Sequence, residues 1–189
     1  MKIKHLITLA SMCFINACSN TPNSVIIAPQ VYSVPTSNYV QQQAQLSVTD
    51  LRIKNHIIQI LQPGQAATLF SPANDMSQTL NNSLSAQFKN QGLVIAPASR
   101  HQIKIYIDAA LVSVQQETLK YQAASEIRLR VEIKKGSETL TTDFNAKGHS
   151  KGPFKADIAV LERDFNQQLG KLITEITQNP DIIGFITHE

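Results

Sequence analysis

Residues 120–135, KYQAASEIRLRVEIKK, alternate more cleanly than any other stretch of this 189-residue chain. Tyr121, Ala123, Ile127, Leu129, Val131 and Ile133 fall on one side of an extended strand. Lys120, Gln122, Glu126, Arg128, Arg130, Glu132 and Lys134 fall on the other, because successive strand residues point to opposite faces. A strand dry on one side and wet on the other belongs to an antiparallel sheet covered on a single face. Lys135-Gly136-Ser137 turns the chain into a further strand, where Leu140, Thr142, Phe144 and Ala146 repeat the alternation. Upstream, Ile103, Ile105 and Ile107 alternate with polar residues before Val112 and Val114 move the apolar set to even positions, which predicts a bulge near Asp108–Ala110. Three long strands in succession read as a meander.

The elements that cover this sheet are helical. Met76, Leu80, Leu84 and Phe88 recur every four residues and predict a helix from about Asp75 to Gln91, with Gly92 placed to end it. A second helix is expected over Asp157–Gln178, where Ile158, Leu161, Phe165, Leu169, Leu172 and Ile176 are spaced by three and four. Burying six such side chains contributes on the order of 9 to 18 kcal/mol before entropy, enough to dock the helix on the sheet. Asn179-Pro180 breaks it, and Ile182, Ile183, Phe185 and Ile186 form a short terminal helix or turn. Closer to the N-terminus, Leu46, Val48 and Ile53 read as one strand and His56–Leu61 as a second, joined as a hairpin near Asn55. Gln62–Ala73 and Gly148–Pro153 read as loops. The expected fold class is α+β: a two-layer sandwich with an antiparallel sheet of about five strands, two long helices on one face and a short C-terminal helix.

Three segments precede or make up this architecture. Residues 1–17 read as a lipoprotein signal peptide: Lys2, Lys4 and His5 form a basic start, and Leu6–Ile15 an apolar run. A helix over residues 6–17 is only about 18 Å long, against the roughly 30 Å of a bilayer core, so the segment is removed and not retained as a span. Ile15-Asn16-Ala17-Cys18 supplies an aliphatic residue, a small residue at the cut and a thiol to be acylated. Cleavage is therefore expected between Ala17 and Cys18, and lipidation at Cys18. Cys13, the one other cysteine, follows the bulky Met12, and the mature chain can form no internal disulfide. Residues 18–44 read as the lipidated cysteine and a flexible tether containing Pro22, Pro29 and Pro35, with Val25-Ile26-Ile27 and Val31–Val34 as short β-prone pieces. These pieces pair either with an edge of their own domain or with a partner's sheet. Residues 45–189 read as a single periplasmic domain, a size that holds one real core.

Charge and composition exclude several functions. The formal net charge of +3 falls to +1 when Lys2 and Lys4 are lost with the leader, so no global field attracts nucleic acid. There is no tryptophan, and Tyr39, Tyr106 and Tyr121 read as half-buried residues instead of stacking platforms. The five histidines, at 5, 56, 101, 149 and 188, stand at no metal-ligand spacing, and neither metal nor other cofactor is expected. Gly148-His149-Ser150-Lys151-Gly152 is the nearest thing to a reactive cluster, and a cell-wall hydrolase would depend on His149 and Ser150. A solvated strand-to-helix connection explains it better. Asp157, Glu162 and Asp164 read as a helix start and an exposed helix side, and Arg128 and Arg130 as solubilising charges on the wet sheet face.

The lipobox cysteine Cys18, the Val25–Pro35 segment, Val48-Thr49-Asp50-Leu51-Arg52, the Asp75–Gly92 helix, the Tyr121–Lys135 strand, Gly152-Pro153-Phe154 and the ending Asp181–Ile186 occur in one order over the mature chain. In that succession the sequence resembles the YajG family of proteobacterial lipoproteins. The resemblance implies a small α/β lipoprotein of the outer membrane with no established catalytic residues, so only Cys18 takes over a defined role. The function expected is non-enzymatic: an interaction or structural module lipid-anchored at the periplasmic face of the outer membrane. It would contact other envelope proteins there, for instance as an accessory subunit of a secretion or transport machine. A binding module for a small envelope ligand, lipid or cell-wall fragment, is the alternative, to be recognised by an apolar cavity between helices and sheet.

Overall fold

The computed structural model describes residues 23–32 and 35–188. Along these residues the order is β1 (Ser24–Val25), β2 (Gln43–Asp50), β3 (Ile58–Leu61), β4 (Thr68–Pro72), α1 (Met76–Asn90), β5 (Val94–Ile95), β6 (Gln102–Gln116), β7 (Lys120–Lys135), β8 (Glu138–Pro153), α2 (Ile158–Gln178) and α3 (Pro180–Thr187). The meander β6–β7–β8 is antiparallel throughout and forms the broad half of the sheet. In β6 the register shifts between Ile107 and Ala109, so Asp108 is the extra residue of the anticipated bulge. The shift keeps Ile103, Ile105 and Ile107 on the same buried face as Ala110, Val112 and Val114.

The sheet as a whole is not the five-stranded antiparallel one expected. Among the described residues it has eight strands of mixed direction. The hairpin anticipated around Asn55 does not form, because β2 and β3 both run parallel to β6 along the same edge. β2 lies against Gln102–Ile107 and β3 against Val112–Gln115, and residues 51–57 loop out between them beside the bulge. Alternation within a strand reports which residues are buried and says nothing of which neighbour it joins. The Gln62–Ala73 stretch, read as a loop, contains β4, which pairs antiparallel with β3. Gly148–Pro153, also read as a loop, continues β8 to its end.

Both long helices lie where their apolar spacing put them, and their ends follow from local chemistry. Asp75 caps α1 by accepting from the Gln78 amide at 2.9 Å. At the other end Gly92, with φ 93°, turns the chain back so that Leu93 N–H reaches Phe88 O and Gly92 N–H reaches Lys89 O, both at 3.0 Å. Asp157 caps α2 through the Ala159 amide, and Asn179 caps α3, with Pro180 at its first position. Met76, Leu80, Leu84 and Phe88 of α1 meet Leu161, Phe165, Leu169, Leu172, Ile173 and Ile176 of α2 in one core with the strands. Ile182 and Ile186 of α3 are buried in the same core, and Ile183 and Phe185 pack against it, so these four apolar residues are covered by their own domain.

The N-terminal stretch read as a tether is, from Ser24 onward, largely part of the fold. β1 pairs parallel with β4, which answers the question left open for the β-prone pieces: the first pairs within its own domain. Val25 and Ile27 are buried, and Tyr39 is completely so. The Tyr39 hydroxyl donates to Thr177 O at 3.0 Å, and its ring meets Phe88 edge-on at 5.5 Å. The apolar residues between the prolines have a face to fill, which a solvated linker does not.

Candidate functional site

Three places on the surface bring chemistry-bearing side chains together. The first is a cleft of about 310 Å³ between the far half of the β7–β8 pair and the first half of α2. Here the row of β8 residues facing α2 is Gly148, Ser150 and Gly152, opposite Ser125, Ala123 and Tyr121 of β7. Such small residues leave space that a helix cannot fill. Gly148 is required by close approach: a Cβ there would stand 2.7 Å from both Ser125 Oγ and Gln168 Nε2. Those two side chains are joined, the Ser125 hydroxyl donating to Gln168 Oε1 at 2.9 Å. A Cβ at Gly152 would meet the Tyr121 ring at 2.8 Å. The glycines that made this stretch look like a loop are strand residues making room for side chains on the covered face.

This geometry separates the two residues of the sequence cluster. Ser150 shares the row of Gly148, while His149 is exposed and belongs to the alternate row. Both residues border the cleft, but as neighbours on one strand their side chains leave it on opposite sides, so the geometry does not pair His149 with Ser150. Asp157 is the cap of α2, and Asp164 pairs with Arg163 at 2.9 Å. Among the described residues no group of three or more His, Cys, Asp or Glu side chains could hold a metal ion. Cys18 and Ala17 lie outside the described residues.

The second place is the wet face of the sheet at the bulge. Asp108, the extra residue, accepts from Arg130 at 3.1 Å, and the guanidinium lies 4.5 Å over the Tyr106 ring. Beside it Arg52 is held by Asp50 at 2.7 Å and donates to Ala110 O at 3.2 Å. Its side chain is only 5% exposed, so loop 51–57 is tied to the bulge by a nearly buried guanidinium on a half-buried carboxylate. Partial burial works to raise the Asp50 pKa, but the bonds from the Arg52 side chain and amide, with its charge, outweigh it and hold the carboxyl below its ordinary value. Arg130 therefore does more than keep the strand soluble: it reads the bulge.

The third is the seat of the N-terminal strap on the helices. Asn166 of α2 accepts from the Ala28 amide at 2.9 Å and donates to Ile26 O at 2.8 Å. Asn74 does the same for both main-chain groups of Ile27, at 2.9 and 2.8 Å. Two side-chain amides thus stand in for a neighbouring strand on either side of residues 26–28. Glu162, expected to be merely exposed, accepts from the Ile26 amide at 2.8 Å. Further along, a Cβ on Gly170 would fall 2.3 Å from Gln30 O, so the absence of a side chain there lets the strap cross α2. Asn74, Asn166 and Gly170 did not stand out in the sequence, and Glu162 was read only as an exposed helix side; a glycine inside an otherwise well-patterned helix was the one available signal.

Residues 29–187 match the family model Lipoprotein_16, described as an uncharacterized lipoprotein. The chain belongs to this family of bacterial lipoproteins. It is the YajG-type family, so the resemblance read from the motifs holds at that level. No curated protein matches the sequence. Among solved structures, a Xanthomonas campestris protein of family model DUF330 is similar with a TM-score of 0.56 at 19% identity, covering 86% of this chain and 97% of its own. A Helicobacter pylori protein titled as a homolog of a neuraminyllactose-binding hemagglutinin is similar with a TM-score of 0.48 at 11% identity, over 86% and 96% of the two chains. The first likeness shows a shared fold. Among the described residues of this lipoprotein no helix is long and apolar enough to cross a membrane.

Proposed function

We propose that this lipoprotein is cut after Ala17, acylated at Cys18 and held at the periplasmic face of the outer membrane, where it acts without catalysis as a docking module for another envelope protein. The observation that carries this reading is the edge of β8. Its 16 residues pair with β7 on one side and with no strand on the other among the described residues. Such an edge is a row of main-chain donors and acceptors that an extended segment of another chain can complete. Its exposed side chains Thr141, Asp143, Asn145, Lys147 and His149 are polar, which discourages self-association and leaves register to a matched partner. A secretion or transport assembly of the outer membrane is one setting that would use it.

Photocrosslinkers placed at Thr141 and Asn145 in cells, in the wild type and in Cys18→Ser, test this directly. The expected result is one defined adduct at both positions that disappears from Cys18→Ser. A chain extracted from membranes always alone, with no adduct at either position, would overturn the proposal. A second reading, a site for a small polar envelope ligand, is supported by the half-open cleft beside Gln168; the closely filled core beneath it argues against a large apolar cargo.

A further inference from the structure

The fold begins within a few residues of Cys18. Resting on the reading that Cys18 is acylated, we propose that the sheet end carrying Leu119 and Phe154 sits on the bilayer, with these two side chains inserted at the level of the lipid headgroups. Ser24 is already paired with Ser71, and Asn23 O accepts from the Ser71 amide at 3.0 Å. Four residues, 19–22, therefore lie between Asn23 and Cys18, a reach over five chain steps of at most about 18 Å, where a free 27-residue tether would have allowed about 90 Å. The domain cannot stand clear of the lipid.

The direction of approach follows from strand polarity. β3 runs parallel to β6, β4 antiparallel to β3, and β1 parallel to β4. Followed back from Val25 through Asn23, the chain heads toward the end of the sheet where β6 finishes. Asn23 is level with Val112, so that end lies about 13 Å further on, within reach of the acylated residue.

What stands at that end is built for an interface. Leu119, in the β6–β7 turn, is 70% exposed, and Phe154, after β8, is 66% exposed. They are adjacent, the Phe154 amide donating to Leu119 O at 2.8 Å. Phe154 has φ 61°, a conformation an aromatic residue rarely adopts. Gln116 holds it: this buried side chain donates to Glu117 O at 2.7 Å and Phe154 O at 2.8 Å, and accepts from the Ala156 amide at 3.0 Å. A buried amide is thus used to fix two large apolar side chains in solvent, the reverse of what core packing needs. Lys120 and Lys155 flank them, with stems long enough to lie along acyl chains while their ammonium groups stay among phosphates. Glu117, which pairs with Lys120 at 3.3 Å, and Asp157 leave the tip nearly balanced in charge, so apolar insertion is the main term and lipid charge a minor one.

The chain has no tryptophan, so single replacements report unambiguously. The acylated full chain carrying Phe154→Trp, Leu119→Trp or, at the opposite end of the sheet, Val94→Trp is reconstituted into phosphatidylethanolamine and phosphatidylglycerol vesicles containing brominated lipid. Flotation with the vesicles reports the anchor, and quenching reports the tip. Expected are flotation of all three, several-fold stronger quenching with blue-shifted emission at 154 and 119, and emission at 94 unchanged from detergent. Flotation with equal quenching at all three positions overturns the tip contact and leaves the anchor standing. Failure to float overturns the anchor and this inference with it. Blue-shifted emission at 154 in both detergent and vesicles, growing with protein concentration, would assign the tip to a second copy and also overturn the proposal.

Discussion

Replacing Gly170 by alanine separates a strap that is part of the fold from one that merely lies near it. In a helix interior the substitution alone stabilises by about 1 kcal/mol, since alanine is the better helix former. Here the new Cβ would lie 2.3 Å from Gln30 O, about 1 Å short of ordinary contact, and the obstacle is main chain, not the end of a flexible side chain. The strap must lift. Lifting it loosens the Ala28 and Ile26 bonds to Asn166, at about 1 kcal/mol each, and part of the roughly 2 kcal/mol from burying Ile27. Losses of about 3 kcal/mol against a gain of about 1 leave a net destabilisation of about 2 kcal/mol, or a Tm lower by about 4 to 8 °C. Urea unfolding of the acyl-free Cys18→Ser chain, with and without Gly170→Ala, measures this through the midpoint at constant m. Hydrogen exchange at the Ile26 and Ala28 amides should accelerate in the same variant. A variant more stable than its parent by about 1 kcal/mol, with both amides still protected, would refute the reasoning, because the strap would then not cross α2 at that point.

Asp50→Asn leaves the nearly buried Arg52 guanidinium with half its partner and should cost about 2 kcal/mol by urea titration at pH 7. Because the folded-state pKa of Asp50 is depressed, its contribution is present above the unfolded carboxylate value and is lost as pH falls through the folded one; the parent should therefore lose more stability on acidification than Asp50→Asn. Tyr39→Phe removes the hydroxyl bond to Thr177 O and should cost about 1 kcal/mol, measured in the same way. Burial pushes the Tyr39 phenol well above its usual range, so the parent should lose stability as pH rises past about 10, where the unfolded phenol ionises, and Tyr39→Phe should lose less.

Where local spacing meets one buried surface, the structure follows the sequence. The stripe Met76, Leu80, Leu84, Phe88 is buried in α1, and the parity change around Asp108 is the bulge. The partner of each strand was not legible in the same way. Leu46, Val48 and Ile58 have the pattern of strands, but the edge they share belongs to β6, some fifty residues further along, and no local signal carries that address. Glycines misled for a related reason: Gly148 and Gly152 read as loop residues because the Gln168 and Tyr121 side chains that occupy their missing Cβ positions come from elsewhere in the chain.

The sequence by itself determined the strand and helix faces, the end of the first helix at Gly92, the bulge and the lipoprotein character, each of which depends on residues within a few positions of one another. Only the tertiary structure decided that the sheet is mixed, that His149 and Ser150 part to opposite faces, and that Asn74, Asn166 and Gly170 draw the proline-punctuated segment onto the helices. Those features arise from pairs far apart in the chain, whose meeting is set by the burial of a common core and leaves no mark on the residues beside them.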